Sequence, residues 1–339
     1  MTEPAQPPLL ATVGLTKHFS IGSLLSRHQL HAVDDADLTI QRRQIVALAG
    51  ESGSGKSTIA RLLARVYTPT RGEILFEGRS ISGLRGRREN LAYRGDVPMV
   101  FQDPFSSLNP AFRVSHGILR GLKLHRPELN RDQRRDEAEA VLDSVGLSPA
   151  GDILDRYPYE LSGGQRQRIG FAQALAYRPK LILADEPVSM LDVSIRVGLL
   201  NLMTDLRDKQ GVSLLYITHD IASARYVSDR LVVMYAGQIA ESGPTEEVLA
   251  RPKHPYTQLL LSAVPDPRAP LRVTAETDRG EPPRVVDPAP GCRFRFRCPL
   301  AVAECAAVTP LPRVLGPDHA VSCHVATADM SPTAAAPVG

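Results

Sequence analysis

The sequence is poor in aromatic residues and contains no tryptophan among its 339 residues. Aromatic cages and base-stacking platforms are therefore unexpected, because both need several exposed rings. No apolar run approaches the length of about 20 residues that crosses a bilayer, and no basic-then-apolar leader opens the chain. Any membrane role is therefore expected to come through a partner. The formal net charge of +3 argues neither for nor against nucleic acid.

Cysteine is missing from most of the chain. The first of the four cysteines is Cys292. A body without cysteine suits a reducing compartment, where disulfides rarely persist. The hydrophobic content of 43% is enough for one large core or two modest cores.

One glycine-rich stretch organises the rest of the chain. It has the pattern G-x-x-x-x-G-K-S/T and comprises Gly50, Glu51, Ser52, Gly53, Ser54, Gly55, Lys56, Ser57 and Thr58. An apolar run precedes it and a helical pattern follows, which is the context of a P-loop. The loop's backbone amides are expected to surround nucleotide phosphates at a helix N-terminus. Lys56 would reach the β- and γ-phosphates, and Ser57 would bind Mg²⁺. A flexible Gly/Ser turn is the alternative.

Alternating strand and helix patterns predict an α/β fold with a doubly wound sheet. Strands are expected at about 11–19, 30–40, 45–49, 72–78, 181–185 and 214–217. Between residues 103 and 158 the apolar spacing becomes helical, which predicts an inserted helical subdomain. The basic segment 79–94 is interpreted as a solvated surface loop.

Three polar side chains follow predicted strands. Asp185 and Glu186 end an apolar run, and His219 follows the strand at 214–217. Ligands of doubly wound sheets bind at the carboxyl ends of the strands, so we expect these residues to share a site with the P-loop. Asp185 would be the second anchor of Mg²⁺, Glu186 the general base, and His219 a hydrogen-bond donor to the γ-phosphate. An acidic turn and a structural histidine are the alternatives.

The motif Leu-Ser-Gly-Gly-Gln at 161–165 completes an ordered set that resembles the ATP-binding subunits of ABC transporters. The resemblance covers about residues 10–325 and rests on the P-loop, Gln102, 161–165, Asp185-Glu186, 189–192 and His219. It implies a P-loop NTPase fold. That fold has a RecA-like core, an antiparallel β subdomain and an inserted helical subdomain at about 103–165.

The resemblance also implies that ATP joins two chains. The signature loop contains Ser162, Gly163, Gly164 and Gln165. In the family, this loop binds the γ-phosphate of ATP that is held by a second subunit. Each chain therefore supplies half of each site. Gly-Gly at a helix N-terminus is physically suited to hold an anion.

Further roles follow from the same resemblance. Gln102 matches the sensor that links the γ-phosphate and Mg²⁺ to the helical subdomain, and it contributes to catalysis. Phe19 matches the aromatic residue that stacks on adenine. Asp192 matches the loop that communicates between the two sites. The family most often has alanine where this chain has Met190, and we expect a small effect.

Three longer segments resemble the oligopeptide/dipeptide importer branch more closely. They are 100–110, 156–168 and 254–265, and the match is nearest to the second ATPase subunit of such systems. In that branch, two different ATPases pair beneath two integral membrane permeases at the cytoplasmic face of the membrane. An extracytoplasmic binding protein delivers the cargo. The resemblance implies an active ATPase that drives import of di- or oligopeptides.

Other functions are weighed against peptide import. The same motor could serve an oligosaccharide, nickel or glutathione, because the ATPase does not touch its cargo. A non-transport ABC ATPase that acts on DNA or ribosomes is less favoured, since no long coiled coil separates the P-loop from the signature and the chain carries one ATPase unit. No nucleic-acid partner is therefore expected.

The cysteines are Cys292, Cys298, Cys305 and Cys323, with five, six and seventeen residues between them. Four thiolates on loops suit either a Cys₄ zinc site or a 4Fe-4S iron–sulfur cluster. Similar cysteine sets in the importer branch resemble iron–sulfur ligands, which favours the cluster. Four unliganded thiols are the alternative, and His324 is a weaker candidate ligand.

The sequence predicts four regions. Residues 1–8 form a disordered N-terminus, 9–250 the ABC ATPase domain, 251–325 a C-terminal extension with the four cysteines, and 326–339 a disordered tail.

Overall fold

The structure is a computed structural model that describes residues 7–23, 26–103, 108–263 and 285–330. Its strands are β1 (Leu10–Ser23), β2 (Ser26–Ala36), β3 (Thr39–Ile40), β4 (Ile45–Ala49), β5 (Arg71–Phe76), β6 (Arg79–Ser80), β7 (Met99–Val100), β8 (Leu181–Asp185), β9 (Ser213–Thr218), β10 (Arg230–Tyr235), β11 (Gln238–Pro244), β12 (Arg313–Gly316) and β13 (His319–Val321).

Its helices are α1 (Lys56–Leu63), α2 (Arg87–Asp96), α3 (Val114–His125), α4 (Arg131–Ser144), α5 (Ala150–Asp155), α6 (Gly163–Leu175), α7 (Val193–Gln210), α8 (Ile221–Val227), α9 (Thr245–Ala250), α10 (Pro255–Ser262) and α11 (Glu304–Ala307), with a 3₁₀ turn at Pro158–Glu160. Among the described residues, no helix is both long enough and apolar enough to span a bilayer.

An eight-stranded sheet forms the centre of the molecule, in the order β12-β13-β11-β10-β4-β9-β8-β7. From β10 to β7 all neighbours are parallel, whereas β11, β13 and β12 continue the sheet in antiparallel fashion. The predicted doubly wound α/β sheet is therefore confirmed. Its parallel part places the carboxyl ends of β4, β8 and β9 at one edge.

Strand β4 shows why both faces of this sheet are covered. Its five residues are 0% exposed. Ile45, Ala47 and Ala49 pack into the core that includes α3 to α7, while Val46 and Leu48 pack on the other face with α1 and the small sheet. Successive side chains of a strand point to opposite faces. A continuous apolar run therefore indicates a strand buried on both sides.

A five-stranded antiparallel sheet packs beside α1. Its order is β2-β1-β5-β6, and β3 also pairs with β1. The long hairpin of β1 and β2 carries Phe19 opposite Leu30. This sheet corresponds to the antiparallel subdomain that the family resemblance implies.

The helical patterns predicted after residue 103 are present as α3 and α4. Ile118 and Leu122 of α3 are 0% exposed, as are Ala138 and Leu142 of α4. The segment 79–94 differs from its prediction as a loop, because its second half belongs to α2. Tyr93 explains the difference: its ring is buried, and its hydroxyl donates to the carbonyl of Leu63 over 2.6 Å.

Residues 285–330 pack against the main body. Cys292, Phe294 and Cys305 belong to the same buried cluster as one face of the central sheet. The chain was expected to be disordered from residue 326, but Ala326 is buried, and the ammonium group of Lys253 donates to the carbonyl of Met330 over 3.1 Å. Residues 326–330 are therefore placed on the body. The rest of the predicted tail, 331–339, and residues 1–6 lie outside the described residues.

Candidate nucleotide site

The P-loop connects β4 to α1, and two of its glycines have no room for a side chain. Gly50 has a φ of 153°, and a Cβ there would lie 2.1 Å from the carbonyl oxygen of Met234. Gly55 has a φ of 106°, and its Cβ would lie 2.3 Å from the carbonyl oxygen of Ala32. Both backbone conformations are available to glycine at low cost. The backbone of the loop can therefore approach Met234 and Ala32 closely.

The middle of the loop is open to a ligand. Ser52 and Gly53 are exposed, and a Cβ at Gly53 would meet no atom within 4 Å. Ser54 is buried, and its hydroxyl oxygen has no hydrogen-bond partner among the described residues. Thr58 is half-buried in α1. An open amide loop with a buried, unpaired hydroxyl fits an anionic ligand with several oxygen acceptors.

Lys56 is the buried cation of the site, with 4% of its surface exposed. Its ammonium group donates to the carbonyl oxygens of Gly50 and Glu51, each over 2.8 Å. Burial lowers the pKa of Lys56, and the nearby carboxylates, that of Glu186 foremost, partly oppose this shift. No carboxylate is paired directly with this ammonium group in the salt bridges of the described residues. Its charge is thus available to a phosphate group.

Ser57 and Asp185, which the sequence predicts as Mg²⁺ ligands, lie side by side. The hydroxyl of Ser57 donates to Oδ1 of Asp185 over 2.9 Å. Burial raises the pKa of Asp185, and the hydrogen bond from Ser57 partly opposes it. A hydroxyl and a carboxylate are oxygen ligands of the kind that Mg²⁺ prefers, and Mg²⁺ usually uses few protein ligands together with phosphates. The donor set therefore fits Mg²⁺ with a nucleotide.

Glu186 brings two further predicted residues together. Its Oε2 accepts a hydrogen bond from Nε2 of Gln102 over 3.1 Å and lies 3.2 Å from Nδ1 of His219. The backbone of Glu186 has a φ of 45°, which is uncommon for a residue with a side chain. Such strain is typical of functional positions. Among the described residues, Gln102 hydrogen-bonds to Glu186 and not to Ser57 or Asp185, although the sequence also predicted it as a ligand of Mg²⁺.

The signature residues lie elsewhere, at the start of α6. Ser162 is the N-cap: its hydroxyl accepts from the amide of Gln165 over 3.2 Å, and the side chain of Gln165 accepts from the amide of Ser162 over 2.9 Å. Gly164 has no room for a side chain, because a Cβ would lie 2.4 Å from Ile195. The sequence suggested an anion-binding loop, and the structure adds a reciprocal capping box in the same residues.

The remaining predicted residues lie on surfaces. Asp192 is exposed at the start of α7, and Met190 is 59% exposed. Phe19 lies half-buried on β1 and packs edge-to-face on Tyr67 with ring centroids 5.3 Å apart. The ammonium group of Lys17 lies 5.0 Å from the centroid of the Phe19 ring. None of these three residues joins the Lys56–Glu186 group in the described contacts.

The cysteines converge without forming a closed metal site. All four are free thiols, and the amide of Cys292 donates to the carbonyl of Cys305 over 2.8 Å. Burial raises the pKa of Cys298 to about 11, and the other cysteines add to this shift. Within the described residues, no three of the sulfurs lie within 4.8 Å of one another. In a tetrahedral zinc site with Zn–S bonds of about 2.3 Å, sulfurs are about 3.8 Å apart.

The sequence did not indicate several residues that contact the P-loop or the hairpin beside it. The side chain of Glu51 pairs with Arg297, and its amide donates to the hydroxyl oxygen of Tyr256. His18, His31 and Asp34 meet on the adjoining hairpin, where Arg293 also contacts Asp34. The alternation Cys-Arg-Phe-Arg-Phe-Arg-Cys at 292–298 was a visible signal, but only the fold shows which arginines face the loop.

Comparisons with known proteins agree with this geometry. Residues 33–189 match the family described as ABC transporter, and residues 240–305 match the oligopeptide/dipeptide transporter C-terminal region. The site is that of an ATP-binding cassette, which binds ATP together with Mg²⁺.

Relatives of nearly full length extend the match. The chain is 46% identical to a probable peptide ABC transporter ATP-binding protein of Sinorhizobium fredii, covering 97% of this chain and 94% of the relative. It is 41% identical to an oligopeptide transport ATP-binding protein of Bacillus subtilis, covering 96% and 99%. The chain belongs to the family of ABC transporter ATP-binding proteins.

Solved structures show the same fold. An ATP-binding cassette in a dimeric, post-hydrolysis state with ADP and Pi has a TM-score of 0.62 and 27% identity, covering 70% of this chain and 98% of that one. A Clostridium perfringens protein that is part of an ABC transporter complex has a TM-score of 0.63 and 26% identity, covering 72% and 92%.

Proposed function

We propose that this chain is the ATP-hydrolysing motor subunit of an ABC importer for di- or oligopeptides. The observation that carries the proposal is the meeting of Gln102, Glu186 and His219 beside the buried Ser57–Asp185 pair. These residues come from separate strand ends, and together with Lys56 they supply a cation, a metal anchor and a base. The peptide cargo is supported by the names of the relatives and by the C-terminal match.

Each side chain has a distinct role in this proposal. Bound ATP would supply the γ-phosphoryl group, and Mg²⁺ would neutralise part of its charge. Lys56, which now donates to the carbonyls of Gly50 and Glu51, would donate to the phosphate oxygens. Ser57 and Asp185 would hold the cation. These contacts lower the cost of charge that develops during transfer.

The carboxylate of Glu186 accepts the proton of the attacking water. Gln102 and His219 both contact Oε2 of this carboxylate, which positions it. His219 is 59% exposed, so its ring can turn to donate to the γ-phosphate in place of its contact with Glu186. The sensor role of Gln102 follows from its double position, since it begins the connection to the helical region and touches the base.

A second chain completes each site in this proposal. Ser162, Gly163 and Gly164 would present amides at the N-terminus of α6 to ATP held by the other subunit, with Gln165 capping the helix. Phe19 would stack on adenine, and Asp192 would report the state of one site to the other. We propose a heterodimer of two ATPases beneath two permeases at the cytoplasmic face of the membrane. A binding protein outside would deliver the peptide.

The substitution Glu186→Gln tests the hydrolytic role. The variant keeps its hydrogen-bonding partners but cannot take a proton, so we expect ATP binding to persist while hydrolysis falls by roughly 100-fold or more. An ATP-bound dimer should accumulate and be visible by size-exclusion chromatography. Glu246→Gln, which changes an exposed carboxylate paired with Arg225, is the matched control. Wild-type turnover in Glu186→Gln would remove this residue from its role.

The cargo is tested with the assembled transporter. The subunit is purified with its permeases and binding protein, and the ligand of the binding protein is identified by mass spectrometry. Short peptides would support the proposal. A sugar, a nickel chelate or glutathione would keep the motor and overturn the cargo. Copurification of ribosomes or DNA without a permease would overturn the transport function.

For the cysteines we propose a metal-binding set that closes when metal binds. The hydrogen bond from the amide of Cys292 to the carbonyl of Cys305 holds two of the cysteines together, and binding would require deprotonation and movement of the sulfurs. The 4Fe-4S cluster stays a prediction. A brown, iron-containing protein after anaerobic purification would support it, zinc without colour would replace it, and a metal-free protein would reject the site.

A further inference from the structure

The C-terminal segment touches the P-loop through one bidentate ion pair. Nη1 of Arg297 lies 2.8 Å from Oε2 of Glu51, and Nη2 lies 2.9 Å from Oε1. The two side chains are 12% and 25% exposed, so the pair is largely shielded from solvent. In this bidentate geometry, two parallel hydrogen bonds fix both the distance and the relative orientation of the arginine and the carboxylate.

The rest of Glu51 is also held. Its amide donates to the hydroxyl oxygen of Tyr256 over 2.9 Å. Its carbonyl accepts from Nζ of Lys56 over 2.8 Å and from the amide of Ser54 over 3.3 Å. Every polar group of this loop residue is therefore engaged. The carbonyl closes the turn of the P-loop and holds the lysine that will meet the phosphates.

Aromatic rings support the arginine. The guanidinium carbon of Arg297 lies 5.6 Å from the ring centroid of Tyr235 and 5.9 Å from that of Phe294. Tyr235 and Tyr256 pack together with centroids 4.5 Å apart. Rings this close strengthen the charge interaction by cation–π attraction and by excluding water. The ion pair with Glu51 raises the pKa of Arg297, so its charge is permanent.

A second arginine of the same turn holds the neighbouring strand. Arg293 contacts the carboxylate of Asp34 on β2 and the carbonyl of Ala236. Strand β2 also presents the carbonyl of Ala32 to Gly55, at the other end of the P-loop. The turn between Cys292 and Cys298 therefore contacts Glu51 at the start of the P-loop. It also contacts β2, the strand that lies against Gly55 at the end of the P-loop.

We propose that Arg297 is a positioning residue for the nucleotide loop. It fixes Glu51, and through the carbonyl of Glu51 it sets the turn of the P-loop and the resting place of Lys56 before ATP binds. Loops whose donors are already placed bind a ligand at a lower entropic cost. The inference rests on the proposed ATP-binding function and assigns part of that site to the cysteine-bearing segment.

The test compares three substitutions in the full-length chain. Arg297→Gln removes the charge and the bidentate contact, whereas Arg297→Lys keeps the charge alone. Arg295→Gln is the matched control from the same turn. Arg295 donates only to the carbonyls of Pro290 and Cys292 in the described contacts. The affinity for a fluorescent ATP analogue with Mg²⁺ is measured by titration, and the melting temperature is recorded for each variant.

We expect Arg297→Gln to weaken nucleotide binding about tenfold, which is the effect of about 1.4 kcal/mol. Arg297→Lys should recover part of this loss, because lysine keeps the charge but not the fork. Arg295→Gln should bind as the wild type does. In the assembled transporter, the KM for ATP should rise in Arg297→Gln while kcat at saturating ATP stays close to wild type.

Glu51→Gln supplies an independent route if Arg297→Gln does not fold. It should weaken binding by a similar factor, and the double variant should be no weaker than either single one, because both changes break the same pair. Equal affinity of Arg297→Gln and the wild type would overturn the inference, as would additive losses in the double variant. Failure of the wild-type chain to bind ATP would instead overturn the proposed function.

Discussion

The P-loop side and the signature side of this protein are built in opposite ways. Around the P-loop, side chains from distant parts of the sequence contact one another, as in Ser57 with Asp185 and Gln102 with Glu186. At the start of α6, Ser162 and Gln165 contact each other and cap their own helix. Nearby, Met190 and Asp192 are exposed. One side is assembled within the chain, whereas the other is displayed on its surface.

The contrast indicates which of the two sites is assembled within one chain and which is open at its surface. On the P-loop side, Ser57 contacts Asp185, Glu186 contacts Gln102 and His219, and Lys56 is held by two loop carbonyls before any ligand arrives. The signature side has helix amides at an exposed helix start, and a short helix end does not make a binding site alone. In the proposed function, another chain presents the ATP that this side binds.

The largest effect is expected from Lys56→Ala. This substitution removes the buried cation that faces the phosphates, and we expect the affinity for ATP to fall by roughly 100-fold or more. Lys209→Ala, on a side chain that is 72% exposed, is the control and should bind normally. Equilibrium titration of the isolated chain measures both. Normal affinity in Lys56→Ala would show that the buried lysine does not bind the phosphates, which contradicts the description of the P-loop side.

We expect low pH to reduce the free energy of unfolding, because His254 becomes protonated on the P-loop side. Burial lowers the pKa of His254 to about 4 from its ordinary value of 6.5, and its Nδ1 accepts from the amide of Tyr256. Because the folded pKa lies below the unfolded one, the contribution to stability is present above pH 6.5 and is lost as the pH falls toward 4.

This contribution is expected to shrink by about 2 kcal/mol between pH 8 and pH 5. Urea unfolding at the two pH values measures it. His254→Asn keeps an acceptor at the start of α10 and does not titrate, so its loss between the same pH values should be smaller by that amount. An equal loss in both proteins would show that other groups cause the acid sensitivity.

Ser162→Ala tests whether the signature side acts only between chains. We expect the isolated chain to bind ATP normally, while hydrolysis by the assembled transporter falls about tenfold. The lost cap should cost about 1 kcal/mol of stability. Asn130→Ala removes the equivalent cap of α4, which has the same reciprocal pattern with Gln133. It should cost similar stability and leave hydrolysis unchanged. Equal hydrolysis defects would mean that helix stability alone is being measured.

The smallest effect is expected from Met190→Ala. Met190 is 59% exposed, so truncation should change the free energy of unfolding by less than about 0.5 kcal/mol. ATP binding by the isolated chain should not change, and the ATPase rate of the transporter should change slightly. A large loss of rate with normal binding would show that this exposed side chain belongs to the contact between subunits.

The strand-end residues could be predicted because one rule covers them. An apolar run followed by Asp185 and Glu186 indicates a buried parallel strand, and parallel strands align their carboxyl ends at one edge. Glycines in a fixed pattern before Lys56 indicate the phosphate loop for the same local reason. These signals are short in sequence, so each can be read without knowing the position of the others.

Other features depend on contacts that no local pattern carries. The segment 79–94 is polar, yet Tyr93 is buried there and α2 forms around it. Residues 326–330 are rich in small residues, yet they pack beneath Lys253. In both cases tertiary packing outweighs local composition, because a buried ring or a buried hydrogen bond from an ammonium group contributes more than the weak preference of the backbone.

The sequence by itself determined the α/β class of fold and the glycine pattern of the phosphate loop, and it predicted Asp185 and Glu186 at a strand end, since each of these signals lies in neighbouring residues. Only the tertiary structure decided that Arg297 forms an ion pair with Glu51 of the P-loop, from which it is separated by 246 positions in the sequence. It also decided that Gln102 meets Glu186. The physical reason is that an ion pair or a hydrogen bond forms between whichever side chains the packing brings within about 3 Å, and sequence separation does not limit that choice.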